Sequence, residues 1–593
     1  MLSSSLTTLW RHRLFGLNAI RRSLISLILS ALLGTSLPAS AVAPEPAAQQ
    51  QQAREQEREL RQQQESVPDV HLQPTPSPEL LQRLPADETP CFKIKQLQLQ
   101  GEAAQQFQWA LAAAHRAGSA PDSPLGRRLG ANGINLILKR VHHAIVQRGF
   151  ITTQVVAEPQ NLASGTLVLT LIPGRLHRLY FSEKSDKQAR HWNALPAKPG
   201  DLLNLRDIEQ ALENFKRLPS VTATFQIAPA SDPEAPAGTS DLIITWQQQL
   251  PLRGTLSLED SGNPLTKKHQ GGFTLAYDQP LGFNDLFYIN LHQGFGGCSV
   301  GRGITRGHTL HYGLPWGYWF LEFTHTQEAH DYSQRPDRLD LRSGGSARSE
   351  AKLARLLYRD ARRKTTLSFK GFRRNNHSGY KLLGIDSPLQ RHALGGWGST
   401  LAHREFIGKA ILDASLSYQR GTGAFGAQAV PENTREGTPR FKVITLELSC
   451  KLPVQIAQLA CHYHGNWNAQ YNRTPLPPSE RFSIGSRHTV RGFGYSDPLL
   501  PLSSERGWWL RNEFGVALGH TGSELYLGLD YGQVSGSLAH DLTEGRRLAG
   551  AALGLRGNLK GLSYTLFTSW PLKTTRNFTG SRNLCGFSLL YNF

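Results

Sequence analysis

From residue 251 onward the chain alternates apolar and polar positions in segments of about ten residues. Such alternation predicts β-strands, because successive side chains of a strand face opposite ways. Between residues 457 and 471 the odd positions are mostly apolar or aromatic, and the even positions are mostly polar. At the C-terminus, Leu589, Tyr591 and Phe593 share one parity. The pattern predicts strands with one apolar and one polar face.

Two architectures fit strands of this kind. A soluble sandwich turns its apolar faces inward, whereas a membrane barrel turns them outward against lipid and encloses a polar lumen. Here short connections, such as that at Pro315-Trp316-Gly317, alternate with long ones, such as residues 333–346 and 472–505. Outer-membrane barrels have short periplasmic turns and long external loops. We therefore predict an antiparallel barrel of about sixteen strands over residues 249–593, closed by the strand that ends at Phe593.

The N-terminus has the pattern of a secretory signal. Four arginines precede an apolar run at residues 24–33, and Ala41-Val42-Ala43 offers a small-residue cleavage site. We predict a signal peptide over residues 1–43, with an uncleaved anchor as the alternative. The run is too short for a typical spanning helix, and no later stretch approaches that length, so any membrane span must consist of strands.

Residues 44–67 form a polar arm rich in Gln, Glu and Arg. Helix propensity is good, but no apolar stripe would hold a helix against a core. Two interpretations stay open, a solvated and partly disordered arm or a plug helix lodged in a water-filled space. Residues 68–90 are proline-rich and predict a linker.

Two small α/β units follow, over residues 91–174 and 175–248. Neither contains a nucleophile–base pair or a metal-ligand spacing, so both have the character of binding modules. In the first unit the hydrophobic pattern predicts strands at 92–99, 149–156 and 166–172 and a helix at 134–148. In the second unit it predicts strands at 179–181, 221–227 and 241–246 and a helix at 205–218.

Length and charge narrow the class of protein. A chain of 593 residues is too long for one ordinary core. A net charge of +19 is compatible with binding to nucleic acid. Because Lys and Arg are spread along the chain and do not form one basic block, we expect no nucleic-acid partner. Five cysteines in such a length do not make a disulfide scaffold.

The sequence gives only weak indications of metal binding or catalysis. Cys461-His462-Tyr463-His464 resembles a metal cluster, but strand parity turns Cys461 away from both histidines, and two histidines are too few for a typical zinc site. We expect no metal, no cofactor and no enzymatic activity. A hydrolase on the barrel wall is the alternative, although no sequence feature aligns a Ser, a His and an Asp.

The stretch RFSIGSRHTVRGFGY, residues 481–495, lies inside the longest connection. Connections of this length are usually functional or disordered, and this one has the aromatic and aliphatic residues of a folded segment. Its glycines permit tight bends, its apolar residues need burial, and Arg481, Arg487 and Arg491 need anions. We expect the loop to fold back against a concave surface that carries a carboxylate.

Together these features resemble the two-partner secretion transporters. That family contains the secretion and activation proteins of haemolysins and filamentous haemagglutinins and belongs to the outer-membrane assembly-factor superfamily. The resemblance covers nearly all of the chain after the signal. Besides Val490-Arg491-Gly492-Phe493, it rests on Gly149-Phe150-Ile151-Thr152-Thr153-Gln154-Val155, Leu205-Arg206-Asp207-Ile208-Glu209-Gln210-Ala211-Leu212, Arg217-Leu218-Pro219-Ser220-Val221, Glu259-Asp260-Ser261-Gly262-Asn263, Pro280-Leu281-Gly282-Phe283-Asn284-Asp285 and Glu480-Arg481-Phe482-Ser483-Ile484-Gly485.

The resemblance implies two periplasmic POTRA (polypeptide-transport-associated) modules that capture an unfolded exoprotein at a sheet edge. The exoprotein would cross the barrel and fold outside the cell. Export could also activate it. The arm resembles the plug helix of some relatives, and the long loop would enter the lumen. There Arg491 would pair with Asp530, which strand parity turns inward, with Glu513 as a second acid.

The resemblance also implies the partners and the location. The partners would be a secreted haemolysin, adhesin or toxin with an N-terminal secretion domain, outer-membrane lipid and the barrel assembly machinery, at the outer membrane with the modules in the periplasm. An outer-membrane protein assembly or insertion factor is the alternative function. Unlike many relatives, the chain offers Cys91 no nearby partner. We expect Cys450 and Cys461, each on the apolar face of its strand, to be free thiols that face lipid, with a disulfide between their strands as the alternative.

Overall fold

The computed structural model describes residues 46–65, 69–72, 81–262, 266–296, 303–332, 340–382, 385–427, 437–494, 501–519, 522–537, 545–576, 578, 580 and 583–593. The predicted signal peptide, residues 1–43, lies outside them. The first helix, α1 (Pro46–Gln64), precedes the two modules. None of the described helices is both long enough and apolar enough to cross a membrane.

The first module, in residues 81–174, is a three-stranded sheet covered by helices. Helix α3 buries Leu136, Ile137, Val141 and Ile145, the apolar face that the sequence predicted. The strand predicted over residues 149–156 is shorter, because the chain turns at Gly149 before it pairs. The elements are β1 (Phe92–Lys93), β2 (Gln96–Gln100), α2 (Ala104–Phe107), a 3-10 helix (Gln108–His115), β3 (Arg116–Ala117), β4 (Ala120–Pro121), β5 (Arg128–Leu129), α3 (Ala131–Gln147), β6 (Gln154–Val156), a 3-10 turn (Leu162–Ser164) and β7 (Thr166–Ile172), with sheet order β2-β7-β6.

The end of the predicted linker belongs to this module. Leu84 is 5% exposed in its core. The carboxylate of Glu88 accepts hydrogen bonds from the backbone N–H groups of Gly130 at 2.7 Å and Asn132 at 2.9 Å, where α3 begins. These N–H groups have no partner within a helix, so a carboxylate there is favourable. Residues 81–90, at the end of the predicted linker, therefore pack against the first module.

The second module follows the predicted order closely. Asn204 caps helix α4, its side-chain oxygen accepting from the backbone N–H of Arg206 at 2.9 Å. The helix buries Ile208, Leu212 and Phe215 against the sheet. The elements are β8 (Arg175–Phe181), α4 (Leu205–Lys216), β9 (Val221–Pro229) and β10 (Thr239–Gln248), with sheet order β8-β10-β9.

Sixteen antiparallel strands close into a barrel, which confirms the predicted architecture. Each strand pairs with its neighbour in the chain, except that β21 pairs with β24 across the long connection. The barrel strands are β11 (Leu252–Glu259), β12 (His269–Asp278), β13 (Leu286–Phe295), β14 (Ile304–Trp316), β15 (Trp319–Tyr332), β16 (Asp340–Arg359), β17 (Arg363–Leu382), β18 (Ile385–Ile407), β19 (Ala410–Thr422), β20 (Lys442–Ile456), β21 (Leu459–Asn472), β24 (Arg506–Ala517), β25 (Ser523–Ser535), β26 (Arg547–Leu559), β27 (Leu562–Lys573) and β28 (Leu584–Asn592); β22 (Phe482–Ile484) and β23 (Leu502–Ser504) form a hairpin inside the connection.

The two faces of the wall differ as the parity predicted. Leu525, Leu527 and Leu529 on β25 are between 42% and 51% exposed on the outer face, whereas Asp530 is 4% exposed on the inner face. The predicted loop at residues 333–346 is shorter than expected, since β16 begins at Asp340. Backbone pairing with β15 and β17 continues through this Gly- and Ser-rich stretch because it needs no apolar side chains.

Cys450 and Cys461 are both free. Cys450 lies opposite Gly465 and Cys461 lies opposite Val454, so the two thiols are out of register on the paired strands. Cys461 is 6% exposed, which corrects the expectation that it faces lipid openly.

The barrel closes between β11 and β28. Phe593 extends the seam beyond the last strand, because its N–H and C=O both bond to Gly254, at 3.0 and 2.9 Å. Its ring stacks on Tyr591, with ring centroids 6.0 Å apart, and lies over the Cα of Gly254.

Deleting Phe593 is expected to reduce the amount of folded barrel in the outer membrane, because the seam then loses two backbone hydrogen bonds and the ring over Gly254. Heat-modifiable migration on gels measures the folded fraction. Phe593→Tyr keeps the backbone bonds and the ring and is the matched control. Wild-type levels of heat-modifiable barrel after the deletion would count against Phe593 as the closing residue.

Candidate functional site

The long connection between β21 and β24 folds back into the lumen. A 3-10 helix (Pro478–Glu480) leads into the β22–β23 hairpin. The side-chain amide of Gln470, on the wall, donates to the backbone carbonyls of Glu480 at 2.9 Å and Glu505 at 3.2 Å. The connection is therefore fixed both where it leaves the wall and where it returns.

Thr489 shapes the tight turn that precedes the motif. Its side-chain Oγ1 accepts from the backbone N–H groups of Gly485 and Ser486, each at 3.1 Å, and the side chain is fully buried. Gly485 has φ +94°, a conformation that favours glycine. The sequence reasoning missed the role of Thr489, because a threonine next to a turn is common in loops of every kind.

Arg491 lies between two carboxylates of the barrel wall. Its Nε and Nη2 donate to the two oxygens of Asp530 at 2.6 and 2.7 Å, a bidentate pair, and its backbone N–H donates to Asp530 at 3.0 Å. Its Nη1 donates to Glu513 at 2.5 Å. The Arg491 side chain is 4% exposed and that of Asp530 is 0% exposed. The structure thus brings together the three charged residues that the sequence had placed at this site.

Burial alone would lower the pKa of Arg491. The hydrogen bonds that Arg491 donates to Asp530 and the negative charges of Asp530 and Glu513 more than offset burial, so the pKa of Arg491 lies above the ordinary value of arginine. Arg491 is therefore charged at every physiological pH.

Other basic residues share Glu513. Arg511 bonds to it at 3.2 Å and Arg556 at 3.0 Å, and Arg556 also bonds to Glu524 at 2.7 Å. His462, from the cluster that resembled a metal site, lies 2.9 Å from Glu524. Glu513 thus keeps two cations when Arg491 is removed, whereas Asp530 loses its bidentate partner.

Two glycines of the wall leave room for the motif. A Cβ on Gly550 would coincide with the backbone carbonyl of Arg491, and a Cβ on Gly528 would coincide with its guanidinium. Gly492 has φ +96° and passes close to the backbone of Trp570. Sequence reasoning missed Gly550, since a strand glycine becomes informative only when the segment that crosses it is known.

Gly550→Ala is expected to displace the loop and to cut export as strongly as a change in Arg491, because the new methyl group meets a backbone atom that cannot rotate away. Gly371→Ala is the matched control, since no heavy atom lies within 4 Å of its Cβ position. Export per folded barrel is the measurement. Equal export from both variants would show that the loop does not need this close approach.

An apolar cluster holds the rest of the loop. Phe482, Ile484, Val490 and Phe493 pack against Trp509, Val534 and Leu548 of the wall, all less than 10% exposed. The ring of Phe493 meets Phe578 edge to face, with ring centroids 5.9 Å apart. The apolar residues of the loop are thus buried as expected, except that Tyr495 lies outside the described residues.

Helix α1 (Pro46–Gln64) lies inside the barrel. It contacts the wall through polar groups: Arg58 binds Glu447 at 2.6 Å, Arg61 binds Glu322 at 2.9 Å and Glu57 binds Arg348 at 3.2 Å. Of the two interpretations of the arm, the structure has the helix in the lumen. A cavity of about 770 Å³ remains beside it, lined by Arg58, Ser415 and Asn466 among others.

Glu480 joins the helix, the long loop and the wall. Arg54 of α1 binds Glu480 at 2.9 Å, and Arg374 of β17 also binds it. Glu480 and Arg374 are both almost fully buried. His488 of the same loop lies 3.5 Å from Glu59 of the helix. The helix and the loop are therefore in direct contact, which the sequence did not predict.

The C-terminal end of α1 meets the second module. Glu65 binds Arg217, which follows α4, at 2.6 Å and lies 3.2 Å from His311 of β14. Glu65, His311 and Glu322 bring potential ligand atoms within 4.8 Å of one another. Arg61 and Lys352 already bind Glu322. These carboxylates are neutralised by basic side chains, so this is an ion-pair junction and does not fit a metal.

The chain just beyond the helix is also held. Asp69, in the predicted linker, binds Lys364 at 3.2 Å and Arg404 at 2.8 Å on the wall. Arg359 of the wall binds Glu209 and Glu213 of α4, at 3.0 and 2.9 Å. Residues 69–72 therefore lie between the second module and the barrel, and Asp69 of the predicted linker is bound by ion pairs.

Comparison with known proteins gives consistent matches. The family model "Haemolysin secretion/activation protein ShlB/FhaC/HecB" matches residues 238–557. POTRA-domain models match residues 175–229 and, in a ShlB-type form, residues 92–174. The chain is 33% identical over 571 residues to the outer membrane transporter CdiB-2 of Burkholderia pseudomallei (strain 1026b), covering 92% of this chain and 94% of that protein.

Two further matches extend this. The outer membrane transporter CdiB of Dickeya dadantii (strain 3937) is 26% identical over 495 residues, covering 82% of this chain and 83% of that protein. Among solved structures, CdiB from Acinetobacter baumannii superposes with a TM-score of 0.78 at 27% identity, covering 92% of this chain and 98% of that one.

Proposed function

Because the chain belongs to the haemolysin secretion/activation protein family, a family of outer-membrane two-partner secretion transporters, we propose that it moves one unfolded exoprotein through its own lumen. Its barrel lies in the outer membrane and its two POTRA modules lie in the periplasm. The exoprotein is a haemolysin, adhesin or toxin with an N-terminal secretion domain, delivered in an unfolded state.

Capture begins at the POTRA modules in this proposal. Each three-stranded sheet has edge strands, and an extended peptide can add to such an edge through backbone hydrogen bonds. The start of β8 is already bonded to residues 200–202, whereas β9 is an outer strand of nine residues. We expect the exoprotein to pair with β9.

The observation that carries the proposal is the nature of the lumen contents. Helix α1 has no apolar stripe, and ion pairs and hydrogen bonds hold it in a polar channel. Water and a passing polypeptide can replace such contacts, so the helix can leave at modest cost. The loop, in contrast, has an apolar cluster and the buried Arg491 contact. We propose that α1 is the removable plug and that the loop is the fixed element of the channel.

One observation favours the alternative, an assembly factor that inserts other barrels. The ladder between β11 and β28 runs from Thr255 opposite Asn592 to Glu259 opposite Ser588. Even with the backbone hydrogen bonds of Gly254 to Phe593 and of Asp260 to Phe587 at its ends, this is a short seam that could open sideways. The match of two POTRA modules and the family match favour the transporter. Such factors would pass their substrate through the seam, whereas the proposed transporter passes it through the lumen.

A disulfide across the seam separates these two functions. In a cysteine-free background, Ser257→Cys and Leu590→Cys place two thiols directly opposite each other. Lumenal export predicts that the oxidised double variant secretes its exoprotein at the wild-type level, both oxidised and reduced. Secretion that stops on oxidation and returns on reduction would overturn the lumenal route. Either single variant is the control.

We propose no catalytic step in this process. The barrel assembly machinery would insert the protein, and outer-membrane lipid would surround it, without chemistry on either. A lipid-hydrolysis assay on the purified protein is expected to give no product, and measurable turnover would point to the hydrolase alternative.

A further inference from the structure

An exposed tryptophan of the second POTRA module lies at the rim of the barrel. Trp192 is 47% exposed, although its indole contacts two periplasmic turns. Its ring meets Phe283 edge to face with centroids 5.5 Å apart, and Trp316 with centroids 5.1 Å apart. No apolar group of the described residues covers the rest of the Trp192 surface. That surface therefore either lies in water or is covered by another molecule.

The position of Trp192 is fixed by its neighbour. Asn193 is fully buried, and its side-chain Nδ2 donates to the backbone carbonyls of Phe283 at 2.5 Å and Pro315 at 3.0 Å. Its backbone carbonyl accepts from the N–H of Gly317 at 2.7 Å, and its Oδ1 accepts from Asn284 at 2.8 Å. One residue thus ties the module to both turns. Trp192 is exposed in a rigid setting, not at the tip of a free loop.

The exposed ring continues the lipid-facing surface of the wall. Trp316 lies opposite Trp319 where β14 and β15 meet, and both are exposed, at 57% and 41%. Above them, Leu321 and Phe323 face outward along β15. Aromatic residues form girdles at both membrane interfaces of such barrels, because an indole has an apolar body and a polar N–H. Trp192 extends the periplasmic girdle onto a module outside the barrel.

The loop that leads to this ring carries two basic residues shortly before it, after the acidic Glu183 and Asp186. Lys187 and Arg190 are exposed on the same loop, and the backbone carbonyl of Arg190 bonds to Asn284 of the rim turn at 2.9 Å. Basic side chains near a membrane surface attract anionic headgroups. The combination of an interfacial ring and two cations matches the headgroup layer of a phospholipid leaflet.

We propose that Trp192 anchors the second POTRA module in the headgroup layer of the periplasmic leaflet, with Lys187 and Arg190 on lipid phosphates. The anchor holds the module under the barrel mouth. A periplasmic protein could also cover a tryptophan, but the continuity with the lipid-facing girdle favours lipid. The inference rests on the membrane setting of the barrel and not on the proposed export route.

Photo-crosslinking tests the anchor directly. A benzophenone amino acid replaces Trp192 in the full-length protein, which is reconstituted in nanodiscs that contain anionic phospholipid. Replacing an exposed ring leaves the core intact. Tyr180, which is 40% exposed on β8 of the same module, is the matched control position.

Irradiation is expected to give a phospholipid adduct at position 192, detected by its mass, in several-fold higher yield than at position 180. Lys187→Glu combined with Arg190→Glu is expected to lower the yield at position 192 several-fold. Equal lipid yields at the two positions would overturn the proposal. So would cells in which the label at position 192 captures a protein and no lipid.

Discussion

Replacing Arg491 by alanine is expected to leave the barrel folded in the membrane and to abolish most export. The change leaves Asp530 buried without its bidentate partner, which costs on the order of 3 kcal/mol in a partly wet site. Undocking the loop relieves that cost, so the ratio of docked to undocked loops falls by roughly a hundred-fold. Secretion per folded barrel, measured by the exoprotein at the cell surface, reports the loss.

Lysine does not replace this arginine. An ammonium group is a single point of charge and cannot reproduce the paired bonds to Asp530 together with the bond to Glu513. Arg491→Lys is therefore expected to behave nearly as Arg491→Ala does. Asp530→Ala is expected to match both. Glu513→Ala has the weaker effect on docking, since the bidentate pair remains.

Two comparisons make the result specific. The double variant Arg491→Ala with Asp530→Ala is expected to be little worse than either single variant, because both changes remove one interaction. Arg473→Ala, an exposed position of the same connection, is expected to export normally. Wild-type secretion from Arg491→Ala would mean that the loop is a passive element and that its anchoring has no part in transport.

Deleting residues 46–65 is expected to raise the ion conductance of the purified protein several-fold in planar bilayers. A helix of 19 residues is about 28 Å long and about 10 Å wide, so it fills much of a lumen of this size. Secretion is expected to continue, since the plug must leave for a substrate to pass. The rise in conductance and the continued secretion are measured on the same variant.

A single charge reversal in α1 is expected to raise the ion conductance less than the deletion does. Arg61→Glu places an acid beside Glu322 and Glu65, so repulsion replaces attraction at the end of the helix, and open events become more frequent. Gln63→Glu changes an exposed position of the same helix and is the matched control. Unchanged conductance after the full deletion would return the arm to the role of a spacer.

Strand parity explains why the sequence predicted so much of the wall. One face of each strand meets lipid, so the alternation of Leu525, Leu527 and Leu529 alone assigns Asp530 to the lumen. The resemblance to the transporter family then implied that Arg491 pairs with this aspartate, and the parity agreed with that implication. The position of helix α1 was harder to predict, because a polar helix that is held by charged residues from distant parts of the chain has no apolar periodicity of its own.

The contacts that escaped prediction depend on close approach between distant segments. Gly550 matters because one carbonyl crosses it, and Glu480 matters because Arg54 and Arg374 converge on it. Neither contact can be predicted from the residues next to Gly550 or Glu480 in the sequence. Glu88 was missed for the same reason, since a carboxylate in a proline-rich stretch gives no sign of the helix that it caps.

Crosslinking to a stalled substrate shows whether the exoprotein passes through this lumen. A folded domain fused to the C-terminus of the exoprotein halts its export, and a photo-reactive residue then replaces either Ser415 or Leu416. Ser415 lines the lumenal cavity, whereas its neighbour Leu416 is 52% exposed on the outer face. We expect an adduct with the exoprotein from position 415 and none from position 416. Adducts from position 416 alone, or from neither position while the substrate is stalled, would contradict it.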